Sequence, residues 1–174
     1  PHVPVWEKYF EVMERSDGWL GVCPDTSIFQ KYPHQLHINQ AYEEGFSEKK
    51  MSEVLGMIAD SKPKEEILAI CETDVEKKYV NEFCPKFSEP PADLSDLAPM
   101  LKYSHMIHGK FYYLADSQTD PCIPYEEIMP ILKKNGYDGY FISEYEGHHY
   151  SIDENDDIQL KRFHELTKRI YDEA

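Results

Sequence analysis

Three short apolar runs punctuate a chain that is otherwise patterned as helix. They are "WLGVCPD" (19–25), "MLKYSHMIHGKFYYL" (100–114) and "YFISEYE" (140–146). Around them apolar residues recur at helical spacing. Val5, Tyr9, Val12 and Met13 mark 5–15, Met51, Val54, Leu55 and Ile58 mark 47–60, and Leu160, Phe163, Leu166, Thr167 and Ile170 mark about 156–172. The pattern also predicts helices over 62–72, over 74–83 and from Pro124 to Leu132, the last closed by the glycine of "KKNGYDG". Strands that alternate with helices pair in parallel through right-handed crossovers, so the fold class is α/β. The chain is expected to form one domain over 1–174. Residues 35–99, which end in the four-proline loop 84–99, form a helical and loop insertion between the first and second strands.

Charge and cysteine usage narrow the partners. Formal net charge is −15 over 174 residues, which repels phosphate backbones and argues against nucleic-acid binding. No run approaches the length of a membrane span. Cys23, Cys71, Cys84 and Cys122 lie far apart without a C-x-x-C pair, which fits a reducing, cytoplasmic setting. The acid run "SIDENDDI" (151–158) suits the start of the last helix, where carboxylates oppose the helix dipole.

Side chains alternate along a strand, so parity shows which residues share a face. Gly21, Cys23 and Asp25 share one face of the first predicted strand, and His108, Lys110 and Tyr112 one face of the second. Tyr140, Ile142, Glu144 and Glu146 share one face of the third. Each strand therefore delivers an ionisable residue near its C-terminal end: Asp25, His108 and Glu144. In parallel α/β folds that rim is where sites are built. Two carboxylates and an imidazole suit a divalent ion, manganese first and magnesium, cobalt or zinc as alternatives.

Simpler roles exist for each residue. Asp25 after Pro24 suits a turn cap, His108 a hydrogen-bonded core position, and Glu144 or Glu146 an ion pair with Lys110. Lys110 is also placed to neutralise an oxyanion. Tyr112 could wall a pocket, and Glu146 and His148 follow the strand end, where His148 could touch substrate hydroxyls.

"WLGVCPDTSIF" and "HMIHGKFYYL", together with "IPYEEIMPILKKNGYDGYFISEYEGHH" and the closing helix, carry a resemblance. They are similar to the C-terminal half of the xylose isomerase-like barrels, the sugar phosphate isomerase/epimerase superfamily. The branch resembled includes the catalytic subunits of bacterial C-glycoside deglycosidases. The resemblance implies the C-terminal part of a (β/α)8 TIM barrel, with about three parallel strands and their flanking helices, incomplete alone. A full barrel needs about 250 residues.

The resemblance also implies a metal site carried on Asp25, His108 and Glu144, with Glu144 as acid/base beside Lys110. Substrate would be bound by Lys110, Tyr112, Glu146 and His148. Two departures stand out. Ile28 occupies the place of a substrate-binding histidine, and the family's fifth-strand glutamate is expected just upstream of Pro1-His2. The partner expected is an N-terminal barrel half, from the same gene product or a separate chain, within an oligomer. The expected activity is a divalent-metal-dependent sugar isomerase or epimerase acting through an enediolate. The alternatives are a C-glycoside deglycosidase-type lyase on a 3-oxo-glycoside and a non-catalytic assembly subunit.

Overall fold

A computed structural model describes residues 4–83, 93–150 and 155–174. Helix α1 spans Pro4–Arg15, α2 Gln35–Glu43, α3 Glu48–Ala59, α4 Lys64–Ala69, α5 Asp74–Glu82 and α6 Leu97–Leu101. Strand β1 (Met106–Phe111), α7 (Tyr125–Lys134), β2 (Tyr140–Tyr145) and α8 (Asp156–Glu173) complete a β-α-β-α unit. The two strands pair in parallel, with His108 opposite Ile142 and Lys110 opposite Glu144. The result is a mixed α/β structure consistent with part of a barrel.

Local chemistry explains most boundaries. Ser47 caps α3 by accepting from the Lys50 N–H, and Thr73 with Glu76 forms a capping box at the start of α5. Pro124 immediately precedes α7, and Gly136, at φ +63°, takes the left-handed conformation that ends it. Asn155 caps α8, and Asp156 and Asp157 fill its first turn as the acid run predicts. Residues 151–154 of that run lie outside the described residues.

The strand faces divide as parity requires. Ile107 and Phe111 of β1 enter a core with Tyr125, Ile128 and Leu132 of α7 and with Phe163 and Leu166 of α8. Phe111 and Phe163 stack with ring centroids 4.2 Å apart. Gly109 lies between Ile107 and Phe111 on the same face, and a Cβ there would come within 2.6 Å of Phe141. A second core joins α2 to α5, through Ile38, Met51, Val54, Ile67, Tyr79 and Phe83.

Two expectations are corrected. Residues 19–25 are not a buried strand. They run extended beside β1, tied by Val22 N–H to the Tyr103 carbonyl, His108 N–H to the Pro24 carbonyl and a single parallel bridge between Asp25 and His108. Trp19 is 91% exposed and Leu20 54%, because the apolar side of this segment has no cover among the described residues. The run 100–114 is a strand only over 106–111. Its first residues fall in α6, set up by the capping aspartate Asp93. The predicted loop 84–99 falls partly on residues outside the description, and its last residues open α6.

Candidate metal centre

The sheet face opposite the core carries the charged residues. β1 presents His108 and Lys110, and β2 presents Glu144, with Glu146 immediately after it. Asp25 arrives from the extended segment through its bridge to His108. One ligand-type atom from each of Asp25, His108 and Glu144 lies within 4.8 Å of the others. Donors about 2.0–2.3 Å from a shared ion sit up to roughly 4.5 Å apart, so small adjustments would close the set.

Asp25 serves two roles at once. Its Oδ1 accepts the Ser27 N–H at 2.9 Å, the turn cap that sequence allowed, and its Oδ2 lies 3.4 Å from Lys110 Nζ. The same ammonium is 2.9 Å from Glu144 Oε1 and 2.6 Å from Glu146 Oε1. Lys110 is only 8% exposed, and its ammonium lies against three carboxylates that are each about one-third exposed. Burial opposes its charge, but the hydrogen bonds to Glu146 and Glu144 and the field of Asp25 outweigh it and raise its pKa well above the usual lysine range. The ion pair with Glu146 is therefore real, and it belongs to a larger cluster.

The fit to a cation rests on one atom. Glu144 Oε2 is buried and receives no hydrogen bond, although His108 Nδ1 lies 2.9 Å away. That contact is an ion pair only when the imidazole is protonated, and a neutral ring accepting through Nδ1 leaves the oxygen unmet. A buried carboxylate oxygen left in this way is costly unless a cation meets it. Formal charges agree. Asp25, Glu144 and Glu146 face one ammonium, which leaves two negative charges for a divalent ion to balance. The donor set, two carboxylates and an imidazole, fits manganese, magnesium, cobalt or zinc.

The other expected substrate-binding residues fall at different distances from this centre. Tyr112, two residues beyond Lys110, stacks on His34 with centroids 3.9 Å apart. His148 is exposed, its ring 6.1 Å from that of Tyr145, and Ile28 packs against the sheet core. A cavity of about 680 Å³ lies among Phe29, Gln30, Tyr32, Ile58, Ser61 and Leu94, and no residue of the charged cluster lines it.

Sequence reasoning missed His34. It lies in the segment 26–47, which shows no clear period, and histidine is not one of the residues that usually mark a helix start. Its Nδ1 accepts the His37 N–H at the start of α2, and its ring is 4% exposed against Tyr112, His37 and Tyr150. Burial, helped by neighbouring His37, pushes its pKa down to about 3. The unfolded group titrates near 6.5, so acid favours the unfolded chain. The stabilising contribution of neutral His34 is complete above about pH 6.5 and is lost as pH falls towards 3. His34→Phe, which keeps the stacked ring, is expected to flatten the loss of stability between pH 6 and 4 by up to about 1.4 kcal/mol per pH unit. Denaturant titrations of both proteins across that range measure it, and equal slopes would contradict the assignment.

No family model matches the chain. It is 34% identical over 87 residues to a C-glycoside deglycosidase alpha subunit of Arthrobacter globiformis, a match covering 49% of this chain and 24% of that protein. A C-glycoside deglycosidase alpha subunit of Microbacterium trichothecenolyticum is 36% identical over 64 residues, 35% of this chain and 17% of the relative. A 3'-dehydrocarminate deglycosidase alpha subunit of a Microbacterium species is 31% identical over 83 residues, 48% of this chain and 23% of the relative. The matches thus span about a quarter or less of the relatives' length. Over up to about half of its own length, the chain is similar to the alpha subunits of bacterial deglycosidases.

Proposed function

We propose that this chain is the ion-binding part of a divalent-metal-dependent deglycosidase that cleaves a 3-oxo-glycoside by elimination. The convergence of Asp25, His108 and Glu144 around an unsatisfied buried carboxylate oxygen carries the reading. The relatives favour this lyase over the sugar isomerase or epimerase that the resemblance alone put first. They are named alpha subunits, which supports a partner subunit for this chain as well. The exposed apolar residues Met106, Tyr140 and Ile142, on the same face as the cluster, support completion of the sheet by an N-terminal barrel half. The outer edge of β2, unpaired among the described residues, supports it too.

A bound divalent ion would polarise a ketone and its neighbouring hydroxyl and so stabilise the enediolate formed between them. Glu144 takes the proton from the carbon beside the ketone, while the ketone oxygen receives the electron pair. Lys110, held against Asp25, Glu144 and Glu146, supplies positive charge beside the site where negative charge develops. When the carbonyl re-forms, the bond from the next carbon to the aglycone breaks. The aglycone leaves with that electron pair and takes up a proton. Tyr112 offers an aromatic flank to the sugar or its aglycone.

The test is direct. Full-length protein with manganese should release aglycone from an oxidised aryl C-glycoside and leave free ketoses unchanged. Interconversion of ketoses without cleavage would favour the isomerase or epimerase. Neither activity, with no ion bound, would leave the non-catalytic assembly subunit.

A further inference from the structure

The pairing of residues 19–25 with β1 stops at the Asp25–His108 bridge. Beyond it, the facing edge of β1 is satisfied by side-chain hydroxyls. The Lys110 N–H donates to Thr26 Oγ1 at 2.8 Å, and the Thr26 hydroxyl reaches the His108 carbonyl at 3.1 Å. The Tyr125 hydroxyl donates to the Lys110 carbonyl at 2.5 Å, and the two hydroxyl oxygens lie 2.8 Å apart. Thr26 and Tyr125 are both fully buried.

Two hydroxyls thus hold the backbone from which His108 and Lys110 project. They tie it to the residue next to Asp25 and to the first residue of α7. A strand continuing past Asp25 could satisfy the same backbone groups, but Asp25 would then cap no helix and its carboxylate would lose the Ser27 N–H. The hydroxyl pair lets the chain turn into the 3-10 helix Thr26–Phe29, which fixes Asp25 as its cap. Such outer contacts orient a ligand set and set its affinity.

We infer that Thr26 and Tyr125 are positioning residues, whose adjacent hydroxyls hold Asp25, His108 and Lys110 in the relative placement that a divalent ion requires. The inference rests on the reading that Asp25, His108 and Glu144 bind such an ion. Neither residue was singled out by sequence, because their partners are backbone atoms 84 and 15 positions away.

The experiment compares Thr26→Val, Thr26→Ser and Tyr125→Phe in the full-length protein, with manganese binding by calorimetry and the visible spectrum of the cobalt form. Valine keeps the shape of threonine and loses its hydroxyl, and serine does the reverse. Thr26→Val should bind manganese about tenfold more weakly and shift the cobalt spectrum, with Thr26→Ser within about twofold of wild type. Tyr125→Phe should weaken binding in the same direction, and it decides the matter alone if Thr26→Val does not fold. A role in packing alone would invert the order, with serine the poorer substitute, and would overturn the inference. So would wild-type affinity and an unshifted spectrum in Thr26→Val and Tyr125→Phe, which would leave the ion site itself standing. A wild-type protein that takes up no ion would overturn both.

Discussion

Glu144→Gln is expected to lower activity by at least about 10³-fold, because one substitution removes both an ion ligand and the proton acceptor. The amide keeps the shape of the side chain, so the fold should be retained. Asp25→Asn is the sharper control. Its side-chain oxygen can still accept the Ser27 N–H, so the turn that Asp25 caps is preserved while one carboxylate is lost. Ion affinity should fall by about 10²-fold in Asp25→Asn, with a thermal midpoint close to wild type in the absence of ion. Calorimetric titration with manganese and circular-dichroism melting separate these effects. Unchanged affinity in either variant would show that the carboxylates meet no ion.

Lys110→Met should act in the opposite direction on binding. Lys110 is the nearly buried counter-ion of Asp25, Glu144 and Glu146, and removing it leaves three carboxylates facing one another. Losing one partner of a fully buried pair costs about 3–5 kcal/mol. These carboxylates are about one-third exposed, so screening should reduce the loss in the ion-free protein to about 2 kcal/mol. A divalent ion compensates the same excess charge, so manganese should raise the melting point of Lys110→Met by more than that of wild type. Activity should nevertheless fall by about 10²-fold, because the ammonium no longer balances charge on the substrate oxygen. A variant as stable as wild type without ion, with no larger gain on adding it, would contradict this account of Lys110.

These expectations depend on relations that sequence conveyed unevenly. The faces of β1 and β2 were legible, because alternation within "HMIHGKF" and "YFISEYE" needs no knowledge of distant residues. Helix α8 was legible for the same reason, through its own apolar stripe. The edges were not. "WLGVCPD" has the composition of a buried strand, but burial depends on what lies across from it, and Trp19 and Leu20 are exposed. Met100 and Leu101 read as the opening of the strand run 100–114, yet they close α6, which continues from the 3-10 turn that Asp93 caps.

At the site, parity placed Asp25, His108 and Glu144 on common faces but gave no distances. It offered Lys110 an ion pair with Glu144 or Glu146, or an oxyanion, and the structure joins it to both glutamates and to Asp25. His34 against Tyr112, and Thr26 with Tyr125, are contacts between segments far apart in the chain, which no local period encodes.

The most direct measurement is an anomalous difference map from crystals of the full-length protein grown with manganese. The account predicts one peak per chain, about 2.0–2.3 Å from a carboxylate oxygen of Asp25, His108 Nδ1 and Glu144 Oε2. A map with no peak there, in crystals where Lys110 still bridges Asp25, Glu144 and Glu146, would contradict it.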